Sequence, residues 1–198
     1  MAKAEVILFD LGGVLLPFDR ERRVGVMSRE LGIEPEAARR FMDREIHARL
    51  DRGEASEDEL AAALSDVADR AVTPAQARAL MLSVFEAPNA ALWAIVATLR
   101  RQVRVGGFSD NPAFVRGLFP PGAVLDPMFW SADLGLTKAE AAAFVAVAER
   151  LNVDPTSILF IDDSAANVAL AQGLGWDAVQ FRSNEQLVKE LTALGFLL

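Results

Sequence analysis

Two apolar runs, far apart in the chain, end in the same way. Val6-Ile7-Leu8-Phe9 meets Asp10 and the turn Leu11-Gly12-Gly13, and Ile158-Leu159-Phe160-Ile161 meets Asp162-Asp163-Ser164. Both runs are aliphatic or aromatic throughout, without alternation, the pattern of strands covered on both faces of a parallel sheet. A carboxylate at the tip of such a strand is costly unless something compensates its charge. In one parallel sheet the two ends share an edge, and three carboxylates meet there. That is a place to hold a divalent cation and do phosphoryl chemistry.

The rest of the chain supplies the sheet's other parts. Between Phe18 and about Glu86 the sequence is rich in Arg, Glu and Ala at helical spacing, with no convincing strand. Leu31-Gly32 and Asp51-Arg52-Gly53 read as helix stops, and Glu34-Pro35, Ser56-Glu57-Asp58-Glu59 and Thr73-Pro74 as helix starts, with Ser56 and Glu59 spaced as a capping box. Four inserted helices are expected. After Ala90 the alternation resumes: a helix over Leu92–Arg101, a strand over Val103–Phe108 ending at Ser109, short apolar pieces at Ala123-Val124-Leu125 and Met128-Phe129-Trp130, and a helix capped by Thr137 and running to Leu151. The second buried strand, a helix from Ala165 to Leu174, a last strand at Ala178–Phe181 and a closing helix from Asn184 complete it. The fold class is therefore α/β, a parallel sheet with helices on both faces. Residues 1–17 and 88–198 would form its core, and 18–87 an inserted all-α domain.

Composition narrows the partners. With 20 basic and 28 acidic residues the net charge is −8, which disfavours nucleic acid and anionic membrane surfaces. Zero cysteines exclude a disulfide framework and thiol catalysis. The N-terminal Met1-Ala2-Lys3-Ala4-Glu5 shows no signal-peptide pattern and no stretch reaches membrane-spanning length, so a cytoplasmic location is expected. The oligomeric state is open.

In open α/β sheets ligands bind beyond the carboxyl ends of the strands. Asp10, Ser109, Lys138 and the Asp162-Asp163 pair all fall at strand ends or in the loops after them. Taken singly, each is an ordinary cap, turn or solvated residue; their order on this architecture is what carries information. The chain resembles the haloacid-dehalogenase-like hydrolase superfamily, on Phe9-Asp10-Leu11-Gly12-Gly13-Val14, Phe108-Ser109-Asp110-Asn111, Lys138, and Phe160-Ile161-Asp162-Asp163-Ser164 with Asn167. Leu50-Asp51-Arg52-Gly53-Glu54 with Ser56-Glu57 is similar to a stretch common in that family's helical C1 caps. The resemblance covers nearly the whole chain. It implies a Rossmann-like core with a helical cap and a phosphatase acting on a small phosphorylated metabolite.

By the same resemblance Asp10 is the nucleophile, forming an aspartyl-phosphate that water cleaves. Mg²⁺ would be held by Asp10, the Gly12 carbonyl and Asp163, with Asp162 behind them or bound through water. Ser109, Lys138 and the turn amides, with Gly12, Gly13 and Asp110 in the phosphate-binding loops, would hold the phosphoryl oxygens.

Two positions depart from the family pattern. Gly12 stands where many members carry a second Asp as general acid, and Asp110 stands where related members often have Asn. Asp19 and the only histidine, His47, are candidate substitutes for the acid. The cap arginines Arg20, Arg22, Arg23, Arg44 and Arg52 are expected to be mostly a solvated face. Three other readings stay open: a weak or inactive relative kept as a binding module, a metal-independent 2-haloacid dehalogenase, and a phosphoacceptor switch. The paired acids count against the dehalogenase, and the helical insertion against the switch.

Overall fold

The computed structural model describes residues 4–119 and 124–197. Met1-Ala2-Lys3 of the N-terminal segment and Ala123 of the short apolar piece lie outside them. Five strands, β1 (Val6–Phe9), β2 (Arg104–Ser109), β3 (Met128–Trp130), β4 (Ile158–Asp162) and β5 (Asp177–Gln180), form one parallel sheet in the order β3-β2-β1-β4-β5. The chain first fills one side of β1 and then crosses to the other. Phe9 lies level with Gly107 of β2 and Ile161 of β4, so the next residue of each strand reaches the same edge.

Both faces of the central strands are covered, which explains their unbroken apolar sequence. Ile7, Phe9, Leu159 and Ile161 pack with Leu92, Val96 and Leu99 of α6 (Ala90–Leu99) and with Leu187 and Leu191 of α10 (Asn184–Ala193). Val6, Leu8, Phe108 and Phe160 pack on the opposite face with Phe144 and Val147 of α8 (Ala141–Leu151) and Ala171 of α9 (Ala165–Gly173). A short helix, α7 (Ser131–Leu134), follows β3.

Between β1 and α6 stand five helices, not four: α1 (Arg20–Leu31), α2 (Pro35–Met42), α3 (Glu45–Asp51), α4 (Glu57–Ala68) and α5 (Pro74–Leu82). The unforeseen break falls at Asp43-Arg44, with no glycine or proline between Phe41 and Leu50 to mark it. In one continuous helix, residues nine apart point roughly 180° from each other. Breaking the helix lets both Phe41 and Leu50 enter one apolar cluster with Val24, Met27, Leu60, Leu64 and Leu80. Capping boxes at Ser56–Glu59 and Thr73–Gln76 start α4 and α5. Phe114 packs against both this cluster and the sheet's.

A second difference concerns Thr137, which does not cap α8. That helix starts at Ala141, and residues 137–140 form a turn in which the Glu140 carboxylate accepts the Thr137 N–H at 3.0 Å. Lys138 thus sits in a loop with its backbone N–H free of the helix. Leu125 is buried and Val124 exposed, neither in a strand.

Candidate active site

The site grows from the ends of β1, β2 and β4. Asp10 follows β1, and its N–H is held by the Ile161 carbonyl at 2.8 Å, which fixes where its carboxylate starts. Asp162 closes β4 and is completely buried. Between the two lies Lys138, also buried, with Nζ 2.8 Å from Asp10 Oδ1 and 2.7 Å from Asp162 Oδ2. Asp162 further accepts the Ser164 N–H at 2.8 Å and both oxygens take the Asn167 side-chain amide at 3.1 and 3.2 Å. Its lone pairs are therefore largely spent on protein donors.

Asp163 is different: it is exposed, and its carboxylate lies over the Gly13 turn. A Cβ at Gly13 would stand 2.2 Å from Asp163 Oδ2, and φ is +77°, so glycine is required twice over. One carboxylate oxygen each from Asp10, Asp162 and Asp163 can be chosen within 4.8 Å of one another. Three hard oxygen donors against one ammonium leave a net negative cluster, and this donor set fits Mg²⁺.

The β2 end adds polar groups. Ser109 is buried, and its Oγ accepts the Asn111 side-chain amide at 2.8 Å; the Asn111 N–H in turn donates to Ser131 Oγ at 3.0 Å. Asp110 does not point its charge freely into the site. Both its oxygens accept the Lys138 backbone N–H, at 3.0 and 2.9 Å. The loop after β2 thereby clamps the loop that carries the lysine.

Burial dominates the electrostatics. It pushes the Asp10 carboxyl up to about 7, against the opposing pull of Lys138. Burial would lower the lysine, but Asp10, Asp162 and Asp110 together outweigh it and hold the ammonium protonated. The same desolvation raises Asp110.

Residues 4–175 match the family model of haloacid dehalogenase-like hydrolases. The chain belongs to that family. It is 26% identical over 200 residues to a D-ribitol-5-phosphate phosphatase of Bacteroides thetaiotaomicron, covering 95% of this chain and 97% of the relative. A predicted HAD-like family hydrolase of Porphyromonas gingivalis superposes with a TM-score of 0.85 at 26% identity, covering 98% of each chain. A HAD family enzyme of Bacteroides thetaiotaomicron, solved with magnesium and inorganic phosphate, superposes with a TM-score of 0.82 at 23% identity, covering 91% of this chain and 96% of that one.

A cavity of about 240 Å³ lies where the helices meet the loop after β2, lined among others by Arg23, His47, Asp51, Asp110, Phe18 and Phe85. At Gly12 a Cβ would meet the Phe18 and Phe85 rings at 3.7 and 3.8 Å, so an aromatic pair faces the position where many relatives carry a second Asp. Of the candidate substitutes, Asp19 is an exposed N-cap of α1, accepting the Arg22 N–H at 3.0 Å. His47 does line the cavity. Arg23 is buried, contrary to the expected solvated face, while Arg20, Arg22 and Arg44 are exposed and Arg52 pairs with Glu140 at 3.1 Å. Asp51 escaped sequence reading because Asp51-Arg52-Gly53 looks like a mere helix stop. Its signal was membership of the Leu50–Glu54 stretch, two residues before Gly53 (φ +70°), whose Cβ would lie 2.5 Å from the Ala132 carbonyl oxygen of α7.

Proposed function

We propose that the protein is a Mg²⁺-dependent phosphatase of a small phosphorylated metabolite, with residues 1–17 and 88–198 as catalytic core and 18–87 as a cap that encloses the substrate. The observation that carries this reading is Asp10 Oδ1 held 2.8 Å from the buried Lys138 ammonium, at one edge with Asp162 and Asp163. The magnesium- and phosphate-bound relative and the ribitol phosphate phosphatase support it.

In this reading an Asp10 oxygen attacks phosphorus, the bond to the leaving oxygen breaks, that oxygen takes a proton from solvent, and an aspartyl-phosphate forms. Water then attacks the phosphorus of that acyl phosphate, gives its proton to solvent, and the P–O bond to Asp10 breaks to return the carboxylate and free phosphate. Lys138 balances charge on Asp10 and on the phosphoryl oxygens, and is kept in place by Asp162 through its side chain and by Asp110 through its backbone. Ser109 and the amides of Gly12 and Asp110 would donate to the phosphoryl oxygens, whereas the Gly13 N–H is spent on the Leu16 carbonyl at 2.9 Å and Gly13 serves the loop by its left-handed backbone. Asp10, the Gly12 carbonyl and Asp163 would hold Mg²⁺, with Asp162 behind; bound there, the ion supplies positive charge against the phosphoryl oxygens.

The test is phosphate release from a panel of phosphorylated metabolites with Mg²⁺, with EDTA and Asp10→Asn as controls. Release that needs the metal and is lost in the variant supports the reading. A folded, Mg²⁺-loaded protein that releases nothing across the panel would favour a binding module on the same fold.

A further inference from the structure

We propose that Glu140 is a positioning residue for Lys138 and that Arg52 governs its grip, so that the placement of the lysine depends on how the helical segment sits on the core. This rests on the phosphatase reading of the carboxylate cluster and deepens it, by naming what places the charge that faces the phosphoryl group.

Lys138 lies in the turn 137–140, outside α8. Its Nζ meets Asp10 and Asp162, and its N–H meets Asp110. A further constraint is the closure of the turn itself. The Glu140 N–H donates to the Thr137 carbonyl at 2.9 Å, while Glu140 Oε1 accepts the Thr137 N–H at 3.0 Å and the Thr137 hydroxyl at 3.2 Å. Lys138 is thus held between two residues tied to each other. The same Oε1 is where Arg52 arrives, with Nε at 3.3 Å and a terminal nitrogen at 3.1 Å. One oxygen therefore carries both the closure of the turn and a contact to the helical segment, 88 residues away in the chain.

Arg52 does not reach the core alone. It caps the C-terminus of α3 between Asp51 and Gly53, and the three residues meet three different parts of the core. Asp51 lines one cavity with Asp110 and Asn111 of the loop after β2. The Gly53 backbone lies against α7, where a Cβ would stand 2.5 Å from the Ala132 carbonyl oxygen. Asp110 takes the Lys138 N–H and Glu140 closes the turn, so two of the three contacts flank the lysine. The Thr137 N–H, and after it Arg52, hold the Glu140 carboxyl below its ordinary range, so the acceptor is ionised at neutral pH. The Arg52 and Glu140 side chains are 33% and 35% exposed, and ion pairs so exposed add little to stability. What the pair adds is geometry. A contact that breaks easily and shapes the lysine's turn links the seating of the helical segment to the charge at the phosphoryl site.

The variants are Arg52→Gln, Glu140→Gln, both together, and the exchanged pair Arg52→Glu with Glu140→Arg. Arg78→Gln is the control, because Arg78 and Glu57 form an ion pair wholly within the helical segment. Hydrogen exchange of the Thr137 and Lys138 amides is read first, since it needs no turnover. Arg52→Gln should speed it by about 2–5-fold, the range that an exposed ion pair commands, while the amides of α8 and the control protein keep native rates. With p-nitrophenyl phosphate and Mg²⁺, Arg52→Gln should lower kcat by a similar factor and leave KM unchanged, the mark of a contact that acts in the transition state. The double variant should be no slower than Glu140→Gln alone, as both changes act through one oxygen. The exchanged pair should stay impaired, because arginine cannot accept the Thr137 N–H. Native exchange rates in Arg52→Gln overturn the inference and leave the phosphatase standing. So does full recovery in the exchanged pair, which shows a plain ion pair, or a rise in KM at native kcat, which shows that the pair only seats the helical segment. Faster exchange in a chain that releases no phosphate across the metabolite panel removes the phosphatase reading and keeps the coupling.

Discussion

Gly13→Ala separates the two reasons for glycine at the turn after β1. Gly13 has φ +77°, and its Cβ would fall 2.2 Å from Asp163 Oδ2 and 2.6 Å from Asp163 Cγ. The left-handed backbone alone costs an L-residue roughly 1–2 kcal/mol. For a chain of this length that lowers the melting temperature by about 2–8 °C. The overlap is relieved differently, because Asp163 is an exposed side chain and can swing away from the turn. The cost of that motion is paid in metal binding, since Asp163 is the carboxylate of the cluster least committed to protein donors. Gly32→Ala is the matched control: φ is +70° at the C-cap of α1, and nothing lies within 4 Å of its Cβ. Both variants should melt lower by similar amounts. Only Gly13→Ala should raise the Mg²⁺ concentration for half-maximal phosphate release, by about 10–100-fold, the scale on which disturbed metal sites lose affinity. Unchanged Mg²⁺ dependence in a Gly13→Ala protein that shows the expected melting loss would refute Asp163 as a ligand.

Lys138→Met removes the only ammonium between Asp10 and Asp162 and leaves two buried carboxylates unpaired, at a cost of about 3–5 kcal/mol. Melting should fall by about 6–20 °C and recover in part with Mg²⁺; a melt within about 2 °C of native would show that the pair carries no such strain. His47 sits well below its ordinary value, at about 4, because burial disfavours its charged form. Between about pH 6.5 and 4 the unfolded chain therefore binds the extra proton, so the stability His47 contributes is complete above 6.5 and is lost as pH falls towards 4, up to about 3 kcal/mol. Native protein should lose melting temperature over this window relative to His47→Gln; Asp10 and Asp51, raised to about 7, act with the opposite sign but are common to both chains. Parallel curves would contradict it.

What was legible in the sequence is what local chemistry dictates. Unbroken apolar runs announced β1 and β4, glycines and capping residues bounded most helices, and the strand-end acids marked the site. What was not legible depends on packing. The break at Asp43-Arg44 carries no punctuating residue; it exists because Phe41 and Leu50 must enter the same cluster. Thr137 has the composition of a cap, yet Asp110 holds the Lys138 N–H and keeps the turn out of the helix. Arg23 reads as one more cationic residue on a charged helix, and only the position of α5 buries it against the Met81 carbonyl.

The departures at Gly12 and Asp110 share one physical logic. A carboxylate near a phosphate site is unfavourable when its lone pairs face the anion. Here Asp110 turns both oxygens to a backbone N–H, and Asp162 turns its own to Lys138, Ser164 and Asn167. Two of the four acids thus serve as fixed acceptors that orient the lysine, one through its backbone and one through its side chain. Asp10 and Asp163 keep oxygens towards the open edge. Two like charges 5 Å apart repel by about 3 kcal/mol at an effective dielectric of 20, so an anionic ester approaches this edge at a penalty that Lys138 alone does not cancel. The same excess negative charge is what a divalent cation neutralises, which ties admission of the ester to the metal. Gly12 fits this scheme by adding no further carboxylate: the space before it belongs to the Phe18 and Phe85 rings, which a Cβ there would meet at 3.7 and 3.8 Å.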